Sequence, residues 1–256
     1  MTAGYGSRSV AGMPSIQVFA TPKEASQAVA EYIAMKSDAA VKRSGRFTIS
    51  LSGGNTTQSV YKLLAEPPLR DRVHWDRWQV FWGDERNAPP DHEDSNYRMA
   101  SEALLNHVPI PASQVHRFLT EQGTEKAADA LEAELHETFS EMIPSFDLIL
   151  LGIGDDGHTA SLFPGTEALE EEKRLVIPNR VPQLNTDRVT FSLPLINAAK
   201  SIAFVVTGQS KAQVLKQILE PDPGGPTLPA ALVQPTSDTL DWFLTADAAS
   251  LLSGGS

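Results

Sequence analysis

The stretch FDLILL (residues 146–151) is almost wholly apolar, with no alternation of polar and apolar positions. A strand of that kind must be covered on both faces, which calls for a parallel sheet with helices packed on each side. Similar short runs recur along the chain and are separated by amphipathic stretches of ten residues or more, the pattern of successive βαβ units. Strands are expected at 16–20, 46–51, 78–82, 115–119, 146–151, 175–177, 189–193 and 202–206, with closing strands at 231–235 and 240–245. Helices are expected after Thr21 and over 56–65, 96–107, 124–142 and 210–219. The first helix has a legible start: Thr21 as cap, Pro22 at the first helical position and Glu24 reaching back. Its Ala25, Ala28, Val29, Tyr32 and Ile33 then share one face. The expected fold class is α/β, a mostly parallel, Rossmann-like open sheet covered by helices on both faces. Residues 13–256 are expected to form a single unit, and the small, polar residues 1–12 a disordered leader or expression remnant.

Composition narrows the function. The 256 residues carry a net charge of −11, which disfavours a general nucleic-acid binder. If the ligand is an anion, a few local cations must reverse the field at its site. There is no cysteine, hence no thiol nucleophile, disulfide or thiolate metal site. No stretch approaches the ~20 apolar residues of a membrane span, and no charged-then-apolar signal opens the chain. A soluble, cytoplasmic protein is the expectation, with no membrane and no nucleic-acid partner.

In open α/β sheets ligands bind beyond the carboxyl ends of the strands, and four such ends carry unusual groups. In SLSGGNTTQS (50–59), Gly53 and Gly54 make a tight turn before a helix capped by Asn55 or Thr56. Exposed amides at a helix start suit a phosphate, although an ordinary βα turn reads the same way. In VFWGDERNAPPDHEDSN (80–96), Asp84, Glu85 and Arg86 follow a strand and a glycine. Arg86 suits a phosphate or carboxylate; Asp84 would orient a substrate hydroxyl or pair with Arg86. In LLGIGDDGHTASLFP (150–164), Asp155, Asp156 and His158 follow two glycines. The imidazole can take a proton at neutral pH, and either acid could fix its tautomer. Asp-x-His could also supply two metal ligands, but the other histidines show no matching spacing, so no metal is expected. In FVVTGQSKAQVL (204–215), Lys211 stands on the first turn of a helix, where the dipole opposes a cation and a bound anion would remove the conflict.

SLSGGNT, GDERNAPPDHEDSN, LGIGDDGHTASLFPGT, VTGQSK and WFLTADAA together resemble the 6-phosphogluconolactonase family, in that family's order and over nearly the whole of residues 16–249. The resemblance implies a fold akin to the amino-sugar-phosphate isomerases. It also implies hydrolysis of 6-phospho-D-glucono-1,5-lactone in the oxidative pentose phosphate pathway, without a cofactor. It makes His158 the general base and Asp156 its acid partner. Substrate binding falls to Ser52, Gly53, Gly54, Asn55, Thr56, Asp84, Arg86 and Lys211, and Arg188 matches a further family arginine. The implied partner is a small phosphorylated sugar lactone, bound by a monomer or small homo-oligomer. At Thr245 the family often has aspartate, a departure that bears on packing. The related glucosamine-6-phosphate isomerase/deaminases carry a glutamate five residues after the histidine; here that position is Phe163. A non-catalytic sugar-phosphate sensor is the third reading.

Overall fold

The computed structural model describes residues 15–236 and 239–253; the leader expected at 1–12 lies outside them. In chain order the elements are β1 (Ser15–Phe19), α1 (Pro22–Ser44), β2 (Phe47–Leu51), α2 (Asn55–Leu64), α3 (Leu69–Arg72), β3 (Trp78–Trp82), β4 (Asp84–Arg86) and α4 (Asn96–Ala103). There follow α5 (Thr124–Thr138), β5 (Leu148–Leu151), β6 (Val176–Val181), β7 (Thr186–Phe191), α6 (Leu193–Asn197), β8 (Ile202–Val206), α7 (Ala212–Leu219) and β9 (Leu240–Thr245).

Six strands form one parallel sheet in the order β1-β9-β8-β5-β2-β3. Strands β2, β5 and β8 are buried along their whole length; β5 and β8 have the unbroken apolar sequences that this requires, and β2 buries Thr48 and Ser50 as well. From β2 the chain steps outward to β3, returns to the other side of β2 as β5, and moves away again through β8 and β9. The direction reverses between β2 and β5, so the loops after these two strands flank the topological switch point, where such sheets hold ligands.

A second sheet of three antiparallel strands, β4-β7-β6, grows from the end of β3. Gly83 joins the two sheets: its N–H donates to Leu51 O at 3.0 Å and its carbonyl accepts from Phe191 N at 2.8 Å. Helix α5 packs on β6 and β7, while α1 packs on α2, β1, β2 and β9. Buried apolar residues of both sheets belong to one cluster. The start of α1 has the expected capping box, Glu24 N to Thr21 Oγ1 at 3.2 Å and Thr21 N to Glu24 Oε2 at 3.0 Å.

Several elements differ from expectation. The expected strand at 115–119 is reduced to one bridge, Val115 to Val80. The chain leaves the sheet there because the His116 ring stacks on Phe81 and its nitrogens bond Glu134 and Gln79. Helix α5 ends at Thr138, not Met142, because Phe139 turns out of the helix to bury its ring against Phe81 and Phe146; Met142 is exposed. Helix α4 stops at Ala103 and continues as a 3-10 turn over Leu105–His107. The expected strand at 231–235 is instead a 3-10 turn, Pro229–Leu232, because β9 itself occupies the place between β8 and β1. Strand β4 was not expected, since three polar residues show no strand periodicity.

Asp147, at the head of β5, is buried; it accepts from Thr48 N at 2.9 Å and Thr48 Oγ1 at 3.0 Å and pairs with Arg43 at 2.6 Å and Lys200 at 2.9 Å. Removing it strands the Thr48 amide between β2 and β5. Asp147→Ala is expected to lower unfolding stability by about 3 kcal/mol, read from urea denaturation; a loss below about 1 kcal/mol would contradict this account.

Candidate active site

The chain leaves β2 at Leu51 into Ser52, whose N–H donates to the Tyr61 hydroxyl at 3.0 Å while that hydroxyl donates to Ser52 O at 2.8 Å. Gly54, at φ 107° and ψ 161°, is the cap of α2, and no side chain caps the helix. The expectation that Asn55 or Thr56 would cap is therefore corrected: Asn55 is the first helical residue. The glycine turn achieves this because Gly54 takes a positive φ open to few other residues. Gly53 has a different reason: a Cβ there would lie 1.9 Å from Asn96 Oδ1. The first amides of α2 are thus left without side-chain partners, which makes them available to an anion. Thr56 Oγ1 lies 2.8 Å from Thr207 Oγ1, joining this loop to the end of β8. A cleft of about 140 Å³ is lined here by Gly53, Gly54, Asn55, Thr56, Gly152 and Lys211, among others.

After β5 the chain folds into a compact turn, with Gly157 N donating to Gly154 O at 3.0 Å and Gly154 N to His158 O at 2.8 Å. Asp156 Oδ1 accepts from His158 N at 3.1 Å and lies 2.6 Å from His158 Nδ1. A carboxylate only accepts, so Nδ1 carries the proton and the neutral ring presents a lone pair at Nε2. Among the described residues Nε2 makes no hydrogen bond. Partial burial pulls the Asp156 carboxyl upward, but the His158 amide and imidazole outweigh it and hold the group below its ordinary value. Asp155 is not part of this pair: its Oδ1 lies 2.6 Å from Lys211 Nζ. The question left open by the sequence, which acid serves His158, is answered geometrically in favour of Asp156. Lys211 caps α7, and Asp155 supplies a negative partner for a cation at that helix start.

Strand β4 carries the remaining charged groups. Asp84 is buried, accepts from Ser161 Oγ at 2.6 Å, and its backbone carbonyl accepts from Asn96 Nδ2 at 2.9 Å. It does not pair with Arg86 through a direct contact. Glu85 faces inward, where its oxygens accept from the amides of Arg86, Asn96 and Tyr97, each at 2.8 Å, and from Ser95 Oγ at 3.1 Å. It caps α4 from outside the helix. Burial pushes its carboxyl up, and those backbone donors oppose the shift.

Arg86 and Arg188 stand directly opposite one another in the antiparallel β4–β7 ladder. Like charges in that register destabilise a sheet. Burial, and then the neighbouring Arg86, push the Arg188 guanidinium below its ordinary value, and Arg188 Nε is buried without a hydrogen-bond partner. The Arg86 guanidinium donates to Asp94 O. The two arginines line a second cavity of about 300 Å³ with Asn87, His92 and Thr186. Ser52, Asp84, Asp156 and His158 line neither cavity; of the other sequence-predicted residues, Gly53, Gly54, Asn55, Thr56 and Lys211 line the first cavity and Arg86 and Arg188 the second. Asp84 links them, through Ser161 in the turn beyond His158 and through Asn96 beside Gly53. Among the described residues, no group of three or more His, Asp or Glu side chains is placed to hold a metal ion.

Sequence reading missed Asn96, Ser161 and Asn179. Asn179 is buried on β6 and donates to Ser161 O at 2.8 Å, fixing the segment beyond His158. Its partner lies 18 positions away, and no local pattern marks it. Leu228 was also missed; it packs where a Cβ on Gly157 would come within 2.8 Å.

This fold and site place the chain in a family. It belongs to the glucosamine-6-phosphate isomerases/6-phosphogluconolactonase family, whose model matches residues 20–242. Its relatives include the 6-phosphogluconolactonase of Nostoc sp., 42% identical over 87% of this chain and 92% of that protein. That of Rattus norvegicus is 40% identical over 93% of each. The solved structure of 6-phosphogluconolactonase from Trypanosoma cruzi superposes with a TM-score of 0.86, at 30% identity over 95% of this chain and 98% of that one. A monomeric glucosamine-6-phosphate deaminase, at 20% identity and a TM-score of 0.76 over 93% of this chain and all of that one, shares the fold.

The Asp156 titration is a direct check on the turn. Its midpoint, followed by carboxyl NMR, is expected below the ~3.9 of a free aspartate, and His158→Ala should move it upward. A carboxyl with a depressed folded value contributes stability that is present above its unfolded midpoint and is lost as pH falls through the folded one. An unchanged midpoint in the variant would break the pairing.

Proposed function

We propose that the protein hydrolyses 6-phospho-D-glucono-1,5-lactone to 6-phospho-D-gluconate, with His158 as general base. The observation that carries the reading is the His158 Nδ1–Asp156 contact of 2.6 Å, which leaves Nε2 free at the carboxyl end of β5. The close relatives' names support the choice of substrate.

A δ-lactone is an activated ester and needs no covalent nucleophile. Nε2 takes a proton from water as its oxygen bonds to the lactone carbonyl carbon. Negative charge gathers on the carbonyl oxygen, and the first amides of α2, which no side chain caps, are donors open to it. When the intermediate collapses, the bond from the carbonyl carbon to the ring oxygen breaks. The imidazolium returns its proton to that oxygen, giving the hydroxyl of the open acid. Asp156 steadies the cation meanwhile.

The phosphate is held away from the bond that breaks and contributes positioning. In this reading Arg86, Arg188 and Lys211 are its cations, and Ser52, Gly53, Gly54, Asn55, Thr56 and Asp84 hold the substrate. An anion between Arg86 and Arg188 would relieve their mutual repulsion. As proposed, residues 13–256 form one catalytic unit working in the cytoplasm on a free small molecule, as a monomer or small homo-oligomer. No helix among the described residues is long and apolar enough to cross a membrane. The isomerase reading of the same cleft is the weaker one, because position 163 is phenylalanine where that chemistry uses a carboxylate.

The test follows 6-phosphogluconate formation with a coupled dehydrogenase against spontaneous hydrolysis. His158→Ala should lower kcat by about 10²–10⁴-fold, the usual worth of a general base; a change of under about threefold would remove His158 from that role. Lys211→Ala should raise KM several-fold with a smaller effect on kcat, as loss of uniform binding does. An unchanged KM would take Lys211 out of substrate binding.

A further inference from the structure

His158 has a third neighbour that the reaction scheme does not use. The Phe163 ring lies on the imidazole with centroids 4.0 Å apart and planes 25° apart. Phe163 is buried, at 4% exposure. Its placement is built into the local sequence. Phe163-Pro164-Gly165-Thr166 forms a tight turn: Thr166 N donates to Phe163 O at 3.2 Å, and Gly165 takes φ 73°. Proline at the second place and glycine at the third are what a type II turn demands, and the proline also restricts the backbone of Phe163. Thr166 Oγ1 donates to Phe163 O at 2.8 Å and accepts from Asn179 Nδ2 at 3.2 Å. The turn is thereby tied to β6, and the ring it carries cannot drift.

The imidazole is confined from three directions. Asp156 holds Nδ1. Gly154 sits so close that a Cβ there would lie 2.0 Å from Nδ1 and 2.1 Å from Cε1. Phe163 covers a face of the ring. A base accepts a proton along a lone pair in its ring plane, so the direction of that plane decides whether the water it serves is the one aimed at the substrate. A single hydrogen bond at Nδ1 still permits the ring to rock. Stacking on a fixed aromatic face removes that freedom and keeps solvent off the covered side.

Resting on the assignment of His158 as base, we propose that Phe163 is a positioning residue for the hydrolysis: it locks the imidazole plane and with it the direction of the Nε2 lone pair. The contact predicts a kinetic signature and a spectroscopic one. Phe163→Leu removes the flat face but keeps an apolar group of related volume, and Phe163→Tyr restores the face. Phe163→Leu should lower kcat about tenfold or more while KM stays within about twofold, because misorientation of a catalytic group costs the chemical step and not binding. Phe163→Tyr should recover most of the loss. Ring protons of His158 should resonate upfield in wild type and in Phe163→Tyr, shielded by the stacked ring, and should move downfield in Phe163→Leu. Their assignment comes from the signals lost in His158→Ala.

Three results would overturn the proposal: a Phe163→Leu enzyme as fast as wild type, a Phe163→Tyr enzyme as slow as Phe163→Leu, or His158 resonances that do not move. Gly154→Ala is a second route that leaves Phe163 intact; it should displace the same ring and lower kcat likewise. Failure here is separable from failure of the broader reading. If His158→Ala is inactive and Phe163→Leu is not impaired, only the positioning role falls. If wild type does not accelerate lactone opening, the substrate reading falls, and the resonance shifts still report whether the ring is held.

Discussion

The fully buried strands β2, β5 and β8 set the terms for everything else in the molecule. Covered on both faces, they offer no place along their length for a charged group that must meet solvent or ligand. Polar chemistry is confined to the points where the chain leaves the sheet, and parallel pairing puts all those points along one edge. The reversal between β2 and β5 then leaves a gap at that edge which the chain does not itself fill. Gly53 and Gly152 line it, with Lys211 arriving from beyond β8.

The second sheet supplies what the first cannot. Charged residues on β4 and β7 are held on extended backbone, not on loops, so Arg86 and Arg188 are fixed in register with one another. Asp84 couples this layer to the histidine turn through Ser161, and Asn179 and Thr190 secure the same serine segment from β6 and β7. A buried, fully partnered polar network of this type specifies geometry more than it adds stability. The two cavities can therefore be treated as mechanically joined through a few short hydrogen bonds.

Much of this was legible in the sequence, and the division has physical causes. Strands β5 and β8 carry an unbroken apolar signal and α1 a capping box, so both announce themselves locally. The DDGH turn is likewise local: Asp156 and His158 are two residues apart, and their contact needs nothing from elsewhere in the chain. Strand β4 is short and polar, and its strand character comes from pairing with β7 a hundred residues later, which no window of sequence contains. The helix expected to Met142 rests on the alignment of Met142 with Ala128, Leu131 and Leu135; the pull of Phe81 and Phe146 on the Phe139 ring, which ends it early, is a tertiary effect. The cap of α2 went to Gly54 because backbone geometry at the glycine pair shifted the helix start by one residue.

Strand order has a consequence for how the molecule comes into being. Among the described residues β1 pairs with β9 alone, the first described strand with the last. As synthesis proceeds from the amino end, β2, β3, β5 and β8 can assemble as they emerge, but β1 has no neighbour until residues 240–245 are made. Until then β1 stays unpaired and, once residues 202–206 have been made, β8 presents an open edge; both are of the sort that invites pairing with other chains. Insertion of β9 pairs β1 and β8 in one event. The completed sheet thus waits on β9, and a chain cut short of it would leave β1 unpaired and β8 open.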